Sequence, residues 1–168
     1  MNAYCSSLER VLEALEKPGW DRYAKEIVTS AKPEAVWDAI RDVGALHTRL
    51  VPGFVIDTKL EPGGRSRTVT FGNGMVVKEP IVDIDDHERR LVWGAIGGAL
   101  THYNGAVQVF PEGKSQSRVV WTADFLPNEA GDQLRAMIEQ GLAVMKKTLD
   151  RTPGEGMTLR APTRSDRI

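Results

Sequence analysis

The chain has one cysteine in 168 residues, Cys5, so an intramolecular disulfide and a multi-cysteine metal site are both excluded, and a reducing compartment is permitted. Neither sign of charge is in excess: 22 basic side chains stand against 23 acidic ones, for a formal net charge of −1. That balance gives no electrostatic ground for nucleic acid or an anionic membrane as a partner. No apolar run approaches the length of a membrane span, and the N-terminus has no basic region followed by an apolar core. The expectation is a soluble, cytoplasmic protein with no membrane insertion. There is also no HExxH, no Gly-x-Ser-x-Gly elbow, no Walker loop and no dinucleotide fingerprint. The three histidines, His47, His87 and His102, are widely spaced. No metal and no cofactor is expected. What is present is ordinary for a globular protein: 41% hydrophobic and 27% charged residues, in a length that suits one domain with a sizeable core.

Residues 6–20, SSLERVLEALEKPGW, read as a short amphipathic helix. Ser6 and Glu9 have capping-box spacing, Leu8, Val11, Leu12 and Leu15 form one stripe, and Pro18-Gly19 ends it. Such a helix packs either on its own domain or on a second copy as a homodimer contact. YAKEIVTS follows as a strand. In AKPEAVWDAIRDV, Pro33 suits a first helical turn, and Val36, Trp37, Ile40 and Val43 recur on one face. GALHTRLVP is a second short helical or irregular segment.

Beyond Pro52 the texture changes. FVIDTKL, SRTVTF, MVVKEPIVDI, RLVWGAI, THYNGAVQVF and SRVVWTADF are rich in valine, threonine and aromatics. The short turn-forming segments between them join antiparallel neighbours, which makes a meander. After LPNEAGDQ the period becomes helical again: Leu134, Met137, Ile138, Gly141, Leu142, Met145 and Leu149 share one stripe over about five turns. Pro153-Gly154 terminates it. The remainder, GEGMTLRAPTRSDRI, has no aromatics and no period and is expected to be a flexible tail. The organisation expected is an N-terminal helical extension over 1–20, one domain over 21–152 and a tail over 153–168. The domain is α+β: a seven-stranded curved antiparallel sheet around a long C-terminal helix, with two short helices after the first strand.

Four stretches resemble the helix-grip superfamily, also called START-like, Bet v 1-like or SRPBCC, and within it the bacterial polyketide cyclase/dehydrase and lipid transport type. KPEAVWDAIRDVGAL resembles the family's first helix, with its pair Val36-Trp37. GNGMVVKEPIVDIDDHERRLVW resembles its glycine turn, glutamate-bearing strand and acidic turn. GGALTHYNGAVQVFP resembles the following loop and tyrosine-bearing strand, and SRVVWTADFLP the last strand. The likeness covers about Tyr23 to Arg151. It implies a deep, mostly apolar cavity between sheet and long helix. It also implies gate loops at Gly72, Asn73 and Gly74 and at Gly97 and Gly98, although the full gate and latch motifs of the plant hormone receptors are missing.

The resemblance sets Glu79 and Tyr103 at cavity positions. Strand alternation supports Glu79 in part, because Met75, Val77, Glu79 and Ile81 share one parity, although Pro80 can kink the strand. The alternative is an outward glutamate paired with a basic residue on the next strand. A buried carboxylate would need a partner or a proton, and its pKa should rise. Tyr103 shares parity with Gly105, Val107 and Val109, and either contacts ligand or serves as a core tyrosine bonded to backbone. Trp121 shares parity with Val119, Ala123 and Phe125; core packing competes with ligand contact there. Trp93 shares a face with Leu91, while Trp37 reads as the anchor of the first helix. The long helix would lend Met137, Ile138, Gly141, Leu142 and Met145 to the cavity wall. His47 is a rim candidate, and His87 a solvated turn residue.

Three functions compete. The first is a carrier or sensor of a small hydrophobic molecule (a lipid, polyketide-like, or isoprenoid or aromatic metabolite), in a cavity of roughly a few hundred Å³. The second is a cyclase, dehydratase or isomerase in which Glu79 is the acid/base and Tyr103 stabilises an enolate oxygen. The third is a protein-interaction module of co-chaperone type. Only one candidate acid/base pair is visible, which favours binding over catalysis.

Overall fold

The computed structural model describes residues 21–97 and 99–151. In chain order these form β1 (Asp21–Thr29), α1 (Pro33–Arg41), a π-helical turn (Leu46–Leu50), β2 (Val55–Leu60), β3 (Ser66–Phe71), β4 (Val76–Asp85) and β5 (Arg90–Gly94). Then come β6 (His102–Glu112), β7 (Gln116–Leu126), a 3-10 turn (Asn128–Ala130) and α2 (Gly131–Leu149). The second of the two expected short helices is thus a five-residue π-helical turn. The expected N-terminal helix, the tail from residue 153 and Gly98 lie outside the described residues. Among the described residues, no helix is long and apolar enough to cross a membrane.

The seven strands make one antiparallel sheet in the order β1-β7-β6-β5-β4-β3-β2. Short turns lay β2 to β7 side by side in sequence order, and β1 returns to β7 with Asp21 opposite Phe125 and Thr29 opposite Ser117. This is the helix-grip arrangement. Two bulges bend it, one between Val55 and Asp57 and one between Ile81 and Asp83. A bulge resets the alternation of side chains. Ahead of the second bulge plain alternation holds, with Met75, Val77, Glu79 and Ile81 facing inward; Val82, within the bulge, and Ile84, beyond it, are exposed.

Pro33 presets the first turn of α1 and has no amide proton to strand there. Val36, Trp37 and Ile40 bury one face of the helix. Trp37 donates its indole N–H to Asp86 Oδ1 at 2.9 Å, which fastens α1 to the β4–β5 turn. α2 buries Ile138, Leu142, Met145 and Leu149, each worth about 1.5–3 kcal/mol of transfer free energy, and packs on β1 and the π-helical turn. Its C-terminal end is tied down by Asp150, which accepts from Thr29 Oγ1 at 2.7 Å, the Ser30 amide at 2.8 Å and Lys146 Nζ at 2.8 Å.

Candidate functional site

A cavity of about 180 Å³ lies between the sheet and α2. Its deep wall carries Arg67, Glu79, Trp93, Tyr103 and Trp121 from the strands, with Ile138 and Met145 from the helix. Toward the loops it is bounded by Phe54, Phe71, Met75, Met137, Gly97 and Leu100.

Glu79 faces inward, 7% exposed, and is paired: Arg67, 3% exposed, sits directly opposite it across β3 and β4. Arg67 Nε donates to Glu79 Oε2 at 2.7 Å, and a terminal guanidinium nitrogen lies 2.7 Å from the same oxygen. Arg67 Nη1 donates to the Val43 carbonyl at 3.1 Å. The two alternatives for Glu79 therefore combine, since it is inward and also bound to a base on the adjacent strand. Burial pushes its carboxyl above the ordinary glutamate range; Arg67 and the Trp93 indole oppose that shift without cancelling it. The guanidinium cannot give up its proton, so a charged Glu79 is what balances it in the interior.

Tyr103, 8% exposed, accepts a hydrogen bond from Trp121 Nε1 at 3.3 Å. Burial drives its phenol well above its usual range, so it stays neutral and keeps its proton. Trp93 and Trp121 meet edge to face, with centroids 5.5 Å apart, and Trp93 lies 6.4 Å from Tyr103. The Arg67 guanidinium carbon stands 5.9 Å from the Trp93 ring centre, within cation–π range.

The other candidates divide. Trp93, Trp121, Met137, Met145 and Gly97 line the cavity, whereas Gly141, Leu142 and His47 do not. At Gly141 a Cβ would stand 3.1 Å from Phe54 and 3.2 Å from Trp121, so this glycine admits the two rings rather than a ligand. Leu142 is 1% exposed and belongs to the core cluster. His47 is half-buried in the π-helical turn, and its Nδ1 has no hydrogen-bond partner among the described residues. Gly72, Asn73 and Gly74 form the β3–β4 turn and also stand outside the lining. A Cβ on Gly72 would strike the Gly53 carbonyl at 2.6 Å, Gly74 has φ +87°, and Asn73 Oδ1 accepts the Met75 amide at 3.0 Å. Turn geometry accounts for all three. His87 lies in the exposed β4–β5 turn beside Glu88.

Sequence reasoning missed Arg67 and Phe54 in the cavity lining, and Gly105 against its aromatic rings. Arg67 shares parity with Val69 and Phe71, a signal that was present. Gly105 carries no side chain because a Cβ would stand 2.8 Å from Tyr103 and 2.9 Å from Trp93; a glycine inside a strand marks such close approach. Phe54, stacked edge to face on Phe71 at 5.4 Å, precedes β2 and gave no periodic signal. Among the described residues no His, Cys, Asp and Glu side chains gather to hold a metal ion.

With this geometry in place, comparison with known proteins gives concordant results. Among solved structures, an uncharacterized protein from Bacillus thuringiensis superposes with a TM-score of 0.71 at 23% identity, covering 77% of this chain and 98% of its own. A Thermobifida fusca protein matches with a TM-score of 0.65 at 25% identity, covering 77% and 90%. Norcoclaurine synthase from Thalictrum flavum matches with a TM-score of 0.62 at 20% identity, covering 78% and 84%. These are likenesses of fold. No curated protein matches the sequence. The family model described as polyketide cyclase / dehydrase and lipid transport matches residues 22–152, and the chain therefore belongs to that family, whose fold is a ligand-binding one.

Proposed function

We propose that this protein binds a small hydrophobic molecule in the cavity between the sheet and α2, as a carrier or sensor. One observation carries the reading: about 180 Å³ of largely apolar space is held open in the interior, where packed cores leave few voids larger than a water molecule. Apolar burial at about 25 cal/mol per Å² would supply most of the affinity. The methionines at positions 75, 137 and 145 give the wall adaptability.

Binding is favoured over catalysis because Glu79 is held by Arg67. A general base must be free to reach the proton it removes. The second reading, a cyclase, dehydratase or isomerase, draws support from the upward shift of Glu79 and the neutral Tyr103 nearby. The Thalictrum flavum enzyme of the same fold, solved with dopamine and hydroxybenzaldehyde, lends it weight as well. Mass spectrometry of protein purified under native conditions tests the proposal. A co-purifying small apolar compound is expected; an empty cavity with a protein partner recovered instead would contradict it. Glu79→Gln then separates carrier from catalyst, because an enzyme loses turnover while it keeps binding.

A further inference from the structure

Three properties of the cavity restrict what it can hold. The first is size. At about 180 Å³ it is close to the roughly 150 Å³ engineered cavity that stays dry and takes benzene. It falls below the roughly 300–1,000 Å³ of pockets that enclose drug-sized ligands. One ring or two fused rings match that volume, which is too small to enclose a long acyl chain.

The second property is charge. Arg67 and Glu79 neutralise each other on the wall, and the Val43 carbonyl takes a further guanidinium proton. An anionic or cationic guest would enter a desolvated space with no net opposite charge to meet it, which strongly disfavours it.

The third is an uncommitted donor. A phenol has one proton to give and can accept as well. Tyr103 accepts from Trp121, and its own O–H has no acceptor among the described residues. The side chain is more than nine-tenths buried and lines the cavity, which leaves a guest in that cavity as the acceptor open to its unmet donor. A buried donor left unpaired is costly, and a guest bearing an acceptor relieves that cost.

We infer that the cavity selects neutral, one- or two-ring molecules carrying a carbonyl-type oxygen, and that Tyr103 is the specificity-determining residue that donates to that oxygen. This rests on the ligand-binding reading above and narrows its ligand class. Binding of four probes at neutral pH, followed by calorimetry and tryptophan fluorescence, tests it: 1-tetralone, tetralin, 1-naphthoate and palmitate. 1-Tetralone should bind about fivefold or more tighter than tetralin, the size of one buried hydrogen bond. 1-Naphthoate and palmitate should bind more weakly than either. Tyr103→Phe, which keeps the ring, should bring the tetralone-to-tetralin ratio close to one. Equal binding of tetralone and tetralin by the native protein, or tighter binding of palmitate or naphthoate, overturns the inference while leaving cavity binding in place. Failure of all four probes, apolar tetralin included, overturns the ligand-binding reading itself.

Discussion

Arg67 and Glu79 show how a single pair sets the character of the site. Removing one member of a buried ion pair strands the other charge, so Arg67→Met should cost about 3–5 kcal/mol in urea unfolding. The double variant with Met at both positions should recover most of that loss, because well-packed apolar side chains can replace such a pair. A loss under about 1 kcal/mol for the single change would contradict the pairing. Glu79 should titrate above the ordinary glutamate midpoint of about 4.3 when followed by carboxyl NMR. With its folded pKa raised, it contributes stability that is present below the unfolded pKa and lost as pH rises through the folded value. A midpoint at or below the ordinary one would exclude net desolvation as its governing influence. The sequence marked Glu79 but passed over Arg67, although SRTVTF places it on the same face as Val69 and Phe71. An arginine in a strand is ordinarily exposed, and which residue lies opposite it depends on register, which one strand alone does not reveal.

Among the elements, β6 and α2 set the boundaries of the space. Gly105→Ala should displace Trp93 or Tyr103, whose ring atoms lie within 3 Å of the added Cβ. The expected cost is about 1–3 kcal/mol, measured as a lowered unfolding midpoint, together with weaker binding of any apolar probe. Unchanged binding would mean that these rings do not form the wall. The end of α2 carries a second pH dependence. Lys146, the Ser30 amide and the Thr29 hydroxyl hold Asp150 well below the usual carboxylate range, the Lys146 hydrogen bond being the largest influence. A depressed folded pKa contributes stability above the unfolded value of about 3.9 and loses it as pH falls toward the folded one. The stability gap between the native protein and Asp150→Asn should therefore shrink as pH is lowered from about 5 to about 2 in urea titrations. A constant gap would mean that the carboxylate charge is not what these donors hold. The strands and the long helix were legible because their apolar periods are strong. The β4 bulge was not, and neither was the π-helical form of the segment read as a short helical or irregular one, since each depends on pairing and packing with distant segments.

For the whole molecule, the α+β architecture could be read from the order of periods: strand, helix, six strands, long helix. The hollow could not. Its volume is a small difference between the space that the curved sheet encloses and the side chains that fill it, and no periodicity encodes that difference. Gly105 and Gly141 are two places where the sequence does record it, each a position without a side chain against the cavity aromatics. The proposed function requires that space to be open and dry. Crystals pressurised with xenon test this most directly, because a dry apolar cavity of this size takes up the gas. The prediction is a xenon atom among Trp93, Trp121 and Met145. Density with no xenon anywhere in the cavity, or a chain of ordered waters filling the same volume, would contradict it.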